Sequence, residues 1–278
     1  LFERMFTGGQ AATTYLIENY PGFDEPISGP DFAMKMQNHA QKYGLEILYD
    51  EITELELSGK IKKVRTKNGE YETKTVILAM GAQPKTLGLA KEDRFRGRGV
   101  SYCATCDGAF YRDKVTVVVG GGDTAAEDAL YLAQFAKKVY LVHRRDQLRA
   151  LKILQERIMA SEKIEVIWDT VVEEILGEEQ VEGVRIKNRK TGESSELKAD
   201  GLFVAIGVTP NNELIKGKVQ MTEAGFVITD ERMQTNIPGV FAAGDLRQKP
   251  LMQIVTAAAD GAIAAYSAQR YLVEEAGI

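Results

Sequence analysis

Cys103 and Cys106 are the only cysteines of the 278-residue chain, with Ala104 and Thr105 between them. Two thiols at this spacing can close a small disulfide ring and reopen it, exchanging two electrons each time. Other cysteine chemistries fail on ligand count. A tetrahedral zinc site needs four donors, and His39 and His143, the only histidines, are widely scattered from the pair. A disulfide framework needs several bridges, and one pair cannot staple a chain this long. A redox pair remains, and it requires a source and an acceptor of electrons.

A candidate source follows the pair. Lys114 to Val119 is β-branched enough for a buried strand and runs into Gly120-Gly-Gly-Asp-Thr-Ala125. An apolar-periodic helix is predicted from about Ala126 to Phe135, and Lys137 to Val142 reads as the next strand. Glycine at 120 and 122, with Ala125 after them, permits a tight turn and close approach of backbone N–H groups to a pyrophosphate. Asp123 and Thr124 lie where the helix N-terminus would face it. An NAD site would place an acidic residue about 20 residues past the glycines, on the ribose 2′-hydroxyl. This chain has His143-Arg144-Arg145, with Arg149 one helical turn later. A guanidinium cluster pairs with a 2′-phosphate, so NADPH is the expected ligand. A solvated basic helix start is the weaker alternative, because arginine there opposes the helix dipole. His143 also reads as a satisfied strand-end residue and takes a secondary role in that site.

These elements belong to a repeat. Ile164 to Asp169 precedes a β-rich stretch from Val181 to Leu197 with a turn at Asn188 to Gly192, then Leu202 to Pro210. Leu45 to Asp50 likewise precedes Ile61 to Thr73 with an Asn68-Gly69 hairpin turn, then Val76 to Pro84. Each series ends in Ala-x-Gly-x-x-Pro, through Gly81 and Gly207, as duplicated nucleotide-binding halves would. In this alignment Leu1 to Arg4 matches Leu141 to Arg144, so the chain is expected to open at a second strand. The first strand, glycine turn and helix of that half, about 30 residues, have no counterpart. Glu3 at that strand end suits an adenosine ribose without a 2′-phosphate, which favours FAD over NADP; it reads equally as a solvated terminal charge.

Length and composition bound the remainder. At 278 residues two domains are expected, and 44% hydrophobic with 27% charged residues suffices for a buried core. The apolar runs Val115 to Val119 and Gly201 to Val208 are far shorter than the roughly 20 residues of a membrane helix. A net charge of −5 argues against a nucleic-acid-binding face.

Together, Gly8-Gly9-Gln10, Glu18-Asn-Tyr-Pro-Gly22, Cys103-Ala-Thr-Cys-Asp107, Gly120 to Ala125, His143-Arg-Arg145 with Arg149, and Gly239-Val-Phe-Ala-Ala-Gly-Asp245 resemble the bacterial-type, low-molecular-weight thioredoxin reductases. The resemblance spans essentially the whole chain, in the family's order. It implies an α/β fold of two Rossmann-like three-layer nucleotide-binding domains, each with a β-meander and one inserted into the other. An FAD domain near residues 1–85 and 213–278, incomplete at its N-terminus, would join an NADPH domain near 86–212 through a two-strand hinge. In the family pattern Cys106 lies against the flavin, Cys103 attacks the partner disulfide, and Asp107 is the candidate acid; Asp107 also reads as a turn or cap aspartate. A domain rotation is implied between the two duties of the pair.

The resemblance carries Gly9, Gln10, Thr14, Asn19, Gly81, Gly244, Asp245 and Gln253 into FAD binding, beside Glu3. Gly207 joins the NADPH set. A helix from about Gln253 to Tyr271 would begin beside the flavin, although its alanine-rich face must also pack the core. One departure stands out: the family's arginine before Gln253 is Met252 here, so a flavin-contacting cation is lost or replaced by Arg247 or Lys249. The partner implied is thioredoxin or a similar small disulfide protein, with a peroxiredoxin system as the alternative. A homodimer, a cytoplasmic location and no metal, nucleic acid or membrane are expected. Relatives of similar architecture fit less well. Alkyl-hydroperoxide reductase flavoproteins add a second Cys-x-x-Cys, ferredoxin–NADP reductases lack the pair, and ferredoxin-dependent thioredoxin reductases lack His-Arg-Arg. Without its first βα unit, the chain alone is expected to bind FAD poorly.

Overall fold

The computed structural model describes residues 1–14 and 16–276. They divide into two compact units, Leu1–Gln83 with Thr209–Ile278 (unit 1) and Pro84–Val208 (unit 2).

Unit 1 opens with β1 (Phe2–Glu3), α1 (Gly9–Thr13) and α2 (Gly29–Lys42). Ser28 starts α2 by accepting from the Asp31 backbone N–H at 3.2 Å, with Pro30 in the first turn and Phe32 and Ala33 buried beneath. Next come β2 (Leu48–Tyr49), β3 (Ile52–Glu56), β4 (Lys62–Thr66), β5 (Glu70–Thr73), β6 (Val76–Leu78) and β7 (Ala82–Pro84). β1 and β2 are parallel, Phe2 opposite Leu48, while β3, β4 and β5 form an antiparallel meander.

Unit 2 contains β8 (Val100–Ser101), α3 (Ala104–Asp107), β9 (Val115–Gly120), α4 (Asp123–Leu132), β10 (Lys138–Val142), α5 (Lys152–Met159) and β11 (Ile164–Ile167). It continues through β12 (Thr170–Leu176), β13 (Gly183–Asn188), β14 (Ser194–Lys198), β15 (Gly201–Ala205) and β16 (Val208–Pro210), where the chain returns to unit 1. Five parallel strands lie in the order β11-β10-β9-β15-β8. β9 is central, and its valines alternate between two cores. Val118 packs with Leu141 and Phe203 against Ala125, Ala129 and Leu132 of α4; Val117 and Val119 pack against Val172, Ile175, Val184 and Ile186 of the β12-β13-β14 meander. Helices, sheet and meander make three layers.

After β16, unit 1 resumes with β17 (Val240–Ala242) and α6 (Ile254–Ala276). β17 pairs in parallel with β6. Val240 and Ala242 face Leu55, Val64 and Leu78 on the meander side; Phe241 and Ala243 face Ala264 and Ala268 of α6. The fold is two-domain, Rossmann-like and α/β.

Three local expectations shift. The helix predicted at 126–135 forms at Asp123–Leu132, because the chain turns helical directly after Gly122. Arg144, Arg145 and Arg149 lie on a loop before α5 rather than on a helix. That loop is tied by a 3.0 Å contact of His143 Nε2 with the Gln147 carbonyl and by Arg149 N–H donating to Gly121 O at 2.6 Å. The apolar run 201–208 divides at Gly207, whose φ of 109° no β-strand residue adopts; Gly81, its match in unit 1, has φ 68°. No atom lies within 4 Å of a Cβ added at Gly81, and only the Lys85 side chain does at Gly207. Backbone conformation alone therefore explains the glycine of each Ala-x-Gly-x-x-Pro.

Candidate functional site

Cys103 and Cys106 form a disulfide with Cα atoms 5.3 Å apart. Cys103 precedes the single turn of α3, whose Cys106 and Asp107 N–H groups both donate to its carbonyl, at 3.2 and 3.1 Å. Ser101 organises the ring. Its buried hydroxyl donates to Asp107 Oδ2 at 2.6 Å and accepts from the Cys103 N–H at 3.1 Å. The residue that fixes the candidate acid against the pair is thus two positions upstream. The sequence offers only a serine on an apolar strand end as a signal.

In unit 2 the glycine turn is shaped by exclusion. A Cβ at Gly120 would lie 2.4 Å from the Ala205 carbonyl, and one at Gly121 would lie 2.1 Å from the His143 ring, whereas Gly122 faces open space. The opening of α4 at Gly122 therefore has room for a phosphate to approach the helix terminus. Asp123, beside it, accepts from the Leu151 N–H at 2.7 Å and so anchors the start of α5. Thr124 is exposed and Ala125 is fully buried against the core. His143 is buried; burial holds its pKa below the ordinary value, as do the charges of Arg149 and Arg145. It supports the turn from beneath. Arg144, Arg145 and Arg149 are exposed and make no ion pair among the described residues; the Arg149 backbone N–H, bonded to the Gly121 carbonyl, ties their loop to the glycine turn.

In unit 1 the flavin candidates fall into two groups. Gln10 donates through Nε2 to the Ala82 carbonyl, and Thr14 donates to the Gln10 carbonyl at 3.2 Å. Asn19 donates to Gln253 Oε1 at 3.0 Å, joining residues 234 apart. Gly9 and Gly81 have positive φ and room for a Cβ. Glu3 closes β1 and accepts from the Met5 N–H at 3.1 Å. Gly244 has φ 72°, and Asp245 after it is half-buried, with a buried Oδ1 that the Lys249 ammonium reaches only at a long 3.5 Å. A buried acceptor so weakly satisfied is what a ligand hydroxyl would complete. Burial raises the Asp245 pKa above its ordinary value, while Lys249 draws it down. Arg247 and Lys249 both point into a buried ion cluster on Asp260. Asp260 has no motif signal and sits mid-helix in an alanine-rich run.

The model of a family described as pyridine nucleotide-disulphide oxidoreductase matches residues 1–261. A thioredoxin reductase of Peptoclostridium acidaminophilum is 46% identical over 98% of this chain and 88% of its own length, and one of Bacillus subtilis 47% identical over 99% and 87%. The crystal structure of thioredoxin reductase from Streptococcus pyogenes superposes with a TM-score of 0.92 at 49% identity, over 98% of this chain and 89% of that one. The chain belongs to the pyridine nucleotide-disulphide oxidoreductase family and, within it, to the low-molecular-weight thioredoxin reductases of bacterial type. It is an oxidoreductase. No helix among the described residues is long and apolar enough to cross a membrane.

Proposed function

We propose that the chain is an NADPH-dependent reductase of the disulfide in thioredoxin or a closely similar small protein, with FAD bound by residues 1–85 and 213–278 and NADPH by residues 86–212. When bound, the two cofactors supply a hydride and pass on its electron pair. The observation that carries the reading is one unit holding a Cys103–Cys106 bridge, a Ser101-anchored Asp107 and an open glycine turn bonded to the loop that carries three exposed arginines.

The open N-terminus of α4 at Gly122 would receive the NADPH pyrophosphate, with Arg144, Arg145 and Arg149 on the 2′-phosphate. Asp245, Gln10, Asn19 and Gln253 would hold FAD. Two electrons break the Cys103–Cys106 bond, and Asp107 gives one sulfur a proton, leaving a thiol and a thiolate. Cys103 then attacks the partner disulfide, forming a mixed disulfide and expelling one partner thiolate. Cys106 passes its proton to the expelled partner thiolate and, as a thiolate, attacks Cys103, restoring the bridge and expelling the partner's second sulfur as a thiolate that takes a proton from water. The net change is one NADPH oxidised and one partner disulfide reduced. Such a reaction suits a reducing cytoplasm, and the resemblance supports a homodimer.

The test is thioredoxin-coupled oxidation of NADPH. NADPH should be consumed far faster than NADH, and Cys103→Ser or Cys106→Ser should abolish turnover. Equal use of both nucleotides, or activity without either thiol, would refute the reading.

A further inference from the structure

Four charged side chains of unit 1 converge behind the Gly244-Asp245 turn, and only Asp245 has a role so far. The side chains of Lys249, Asp260 and Arg247 are 3%, 10% and 14% exposed. Lys249 Nζ donates to Asp260 Oδ2 at 3.1 Å and lies 3.5 Å from Asp245 Oδ1. The same Asp260 oxygen accepts from the Gly244 N–H at 3.1 Å. Arg247 Nη1 lies 3.5 Å from Asp260 Oδ1, and its Nε donates to Thr229 at 3.0 Å. One carboxylate in α6 therefore fastens the left-handed Gly244 backbone and the ammonium that faces Asp245. A buried ion group is an expensive way to gain stability alone, since apolar side chains of similar volume often serve as well. Its geometry converges on Asp245 Oδ1, a buried acceptor that the ammonium reaches only at a long 3.5 Å.

We propose that Asp260 and Lys249 are positioning residues for FAD: Asp260 fixes the Gly244 backbone and Lys249, and Lys249 aims the Asp245 carboxylate at a flavin hydroxyl. This rests on the reading of unit 1 as the flavin domain. The charged groups facing Asp245 are Lys249 from its own loop and Asp260 from α6; Arg247 reaches Asp260. Burial and Asp260 push the Asp245 carboxyl up and Lys249 pulls it down. Without the ammonium only the upward influences remain, so Asp245 protonates at a higher pH and the charge-assisted hydrogen bond is lost there.

FAD affinity of the purified chain is measured by flavin fluorescence across the acid-to-neutral pH range. Lys249→Met should weaken FAD about tenfold or more near neutrality and move the acid-side loss of binding to higher pH, while Lys249→Arg should stay within about threefold. In an Asp245→Asn background Lys249→Met should add less than about twofold, because it acts through Asp245. Lys249→Gln keeps a donor without charge. Should the methionine variant not fold, the glutamine variant must show the same movement of the acid limb. Additive effects in the two backgrounds, or an unmoved acid limb, overturn the proposal while FAD binding by the wild-type chain preserves the flavin reading. A wild-type chain that binds no FAD overturns both.

Discussion

The two units share a strand plan and complete it with different parts. β1-β2, the β3-β4-β5 meander, β6 and β7 repeat as β10-β11, β12-β13-β14, β15 and β16. The likeness extends below the level of motifs. Each meander has a register irregularity in its first strand, between Ile52 and Glu54 and between Val172 and Glu174. Each central strand carries an arginine bridging both neighbours, Arg65 to Glu54 and Glu70, and Arg185 to Glu174 and Glu196. The difference lies between the outer strands. In unit 2, β9 joins β10 to β15 and delivers the glycine turn; in unit 1, no strand among the described residues joins the β1-β2 ladder to the β6-β17 ladder. Unit 2 leaves one helix N-terminus open at Gly122, whereas unit 1 bonds residues from both ends of the chain, Asn19 to Gln253.

The sharpest way to break this contrast is at the glycine turn. Gly121→Ala places a methyl group 2.1 Å from the His143 ring, which is buried and cannot swing away. The cost should be about 3 kcal/mol, near the upper range for overpacking, read from urea unfolding, with loss of NADPH binding as the turn shifts. Gly122→Ala meets nothing within 4 Å and should leave stability nearly unchanged. If both substitutions prove equally mild, the turn is not the rigid cradle that sets unit 2 apart.

Removing the arginines tests the ligand rather than the scaffold. Arg144→Ala with Arg145→Ala should weaken NADPH about 10- to 100-fold, as expected for lost charge-assisted contacts to a phosphate, and leave NADH almost untouched. Isothermal titration with each nucleotide measures the ratio. Parallel losses for both would mean that the cluster does not read the 2′-phosphate.

Legibility in the sequence follows the range of the interactions. The glycine turn, the hairpin turn after Lys67 and the strand matches across the halves depend on neighbours in the chain, and pattern and turn chemistry expose them. The start of α4 is misplaced by three residues because Asp123 and Thr124 are polar, so apolar periodicity begins later than the helix does. Ser101 and Asp260 leave no trace, since their meaning lies in partners that only folding supplies: a 2.6 Å bond to Asp107 and a 3.1 Å bond to the Gly244 N–H. The guanidinium cluster is legible as composition but not as a loop, because a buried histidine contact bends it.

The units should also answer pH in opposite directions. Asp128 on α4 is half-buried, and burial pushes its carboxyl up to about 7 from an ordinary 3.8. The folded state then keeps a proton that the unfolded chain releases, so its contribution is complete below about 4 and declines as pH rises to about 7. In unit 1 the buried Lys62 has its pKa held below 10.5 by desolvation, which makes folding more favourable as pH climbs towards that value. Asp128→Asn should remove the acid-to-neutral decline and stabilise unit 2 at pH 7 by on the order of 2 kcal/mol, with solvent at its exposed face allowed for. An unchanged pH profile of unfolding would remove Asp128 from the account.

The smallest effect tests the likeness itself. Arg65 and Arg185 are both half-exposed, and each forms charge-assisted bonds to two glutamates that raise its pKa. Exposed pairs of this kind contribute little, because water screens the charges and long side chains lose freedom. Arg65→Met and Arg185→Met should therefore each lower Tm by no more than about 2–4 °C, and by similar amounts. A clearly larger loss at Arg65 would mean that unit 1, whose strands stand in separate ladders, leans on its meander more heavily than unit 2 does. Equal losses would place the difference between the units in the strands around β9 and not in the meanders they share.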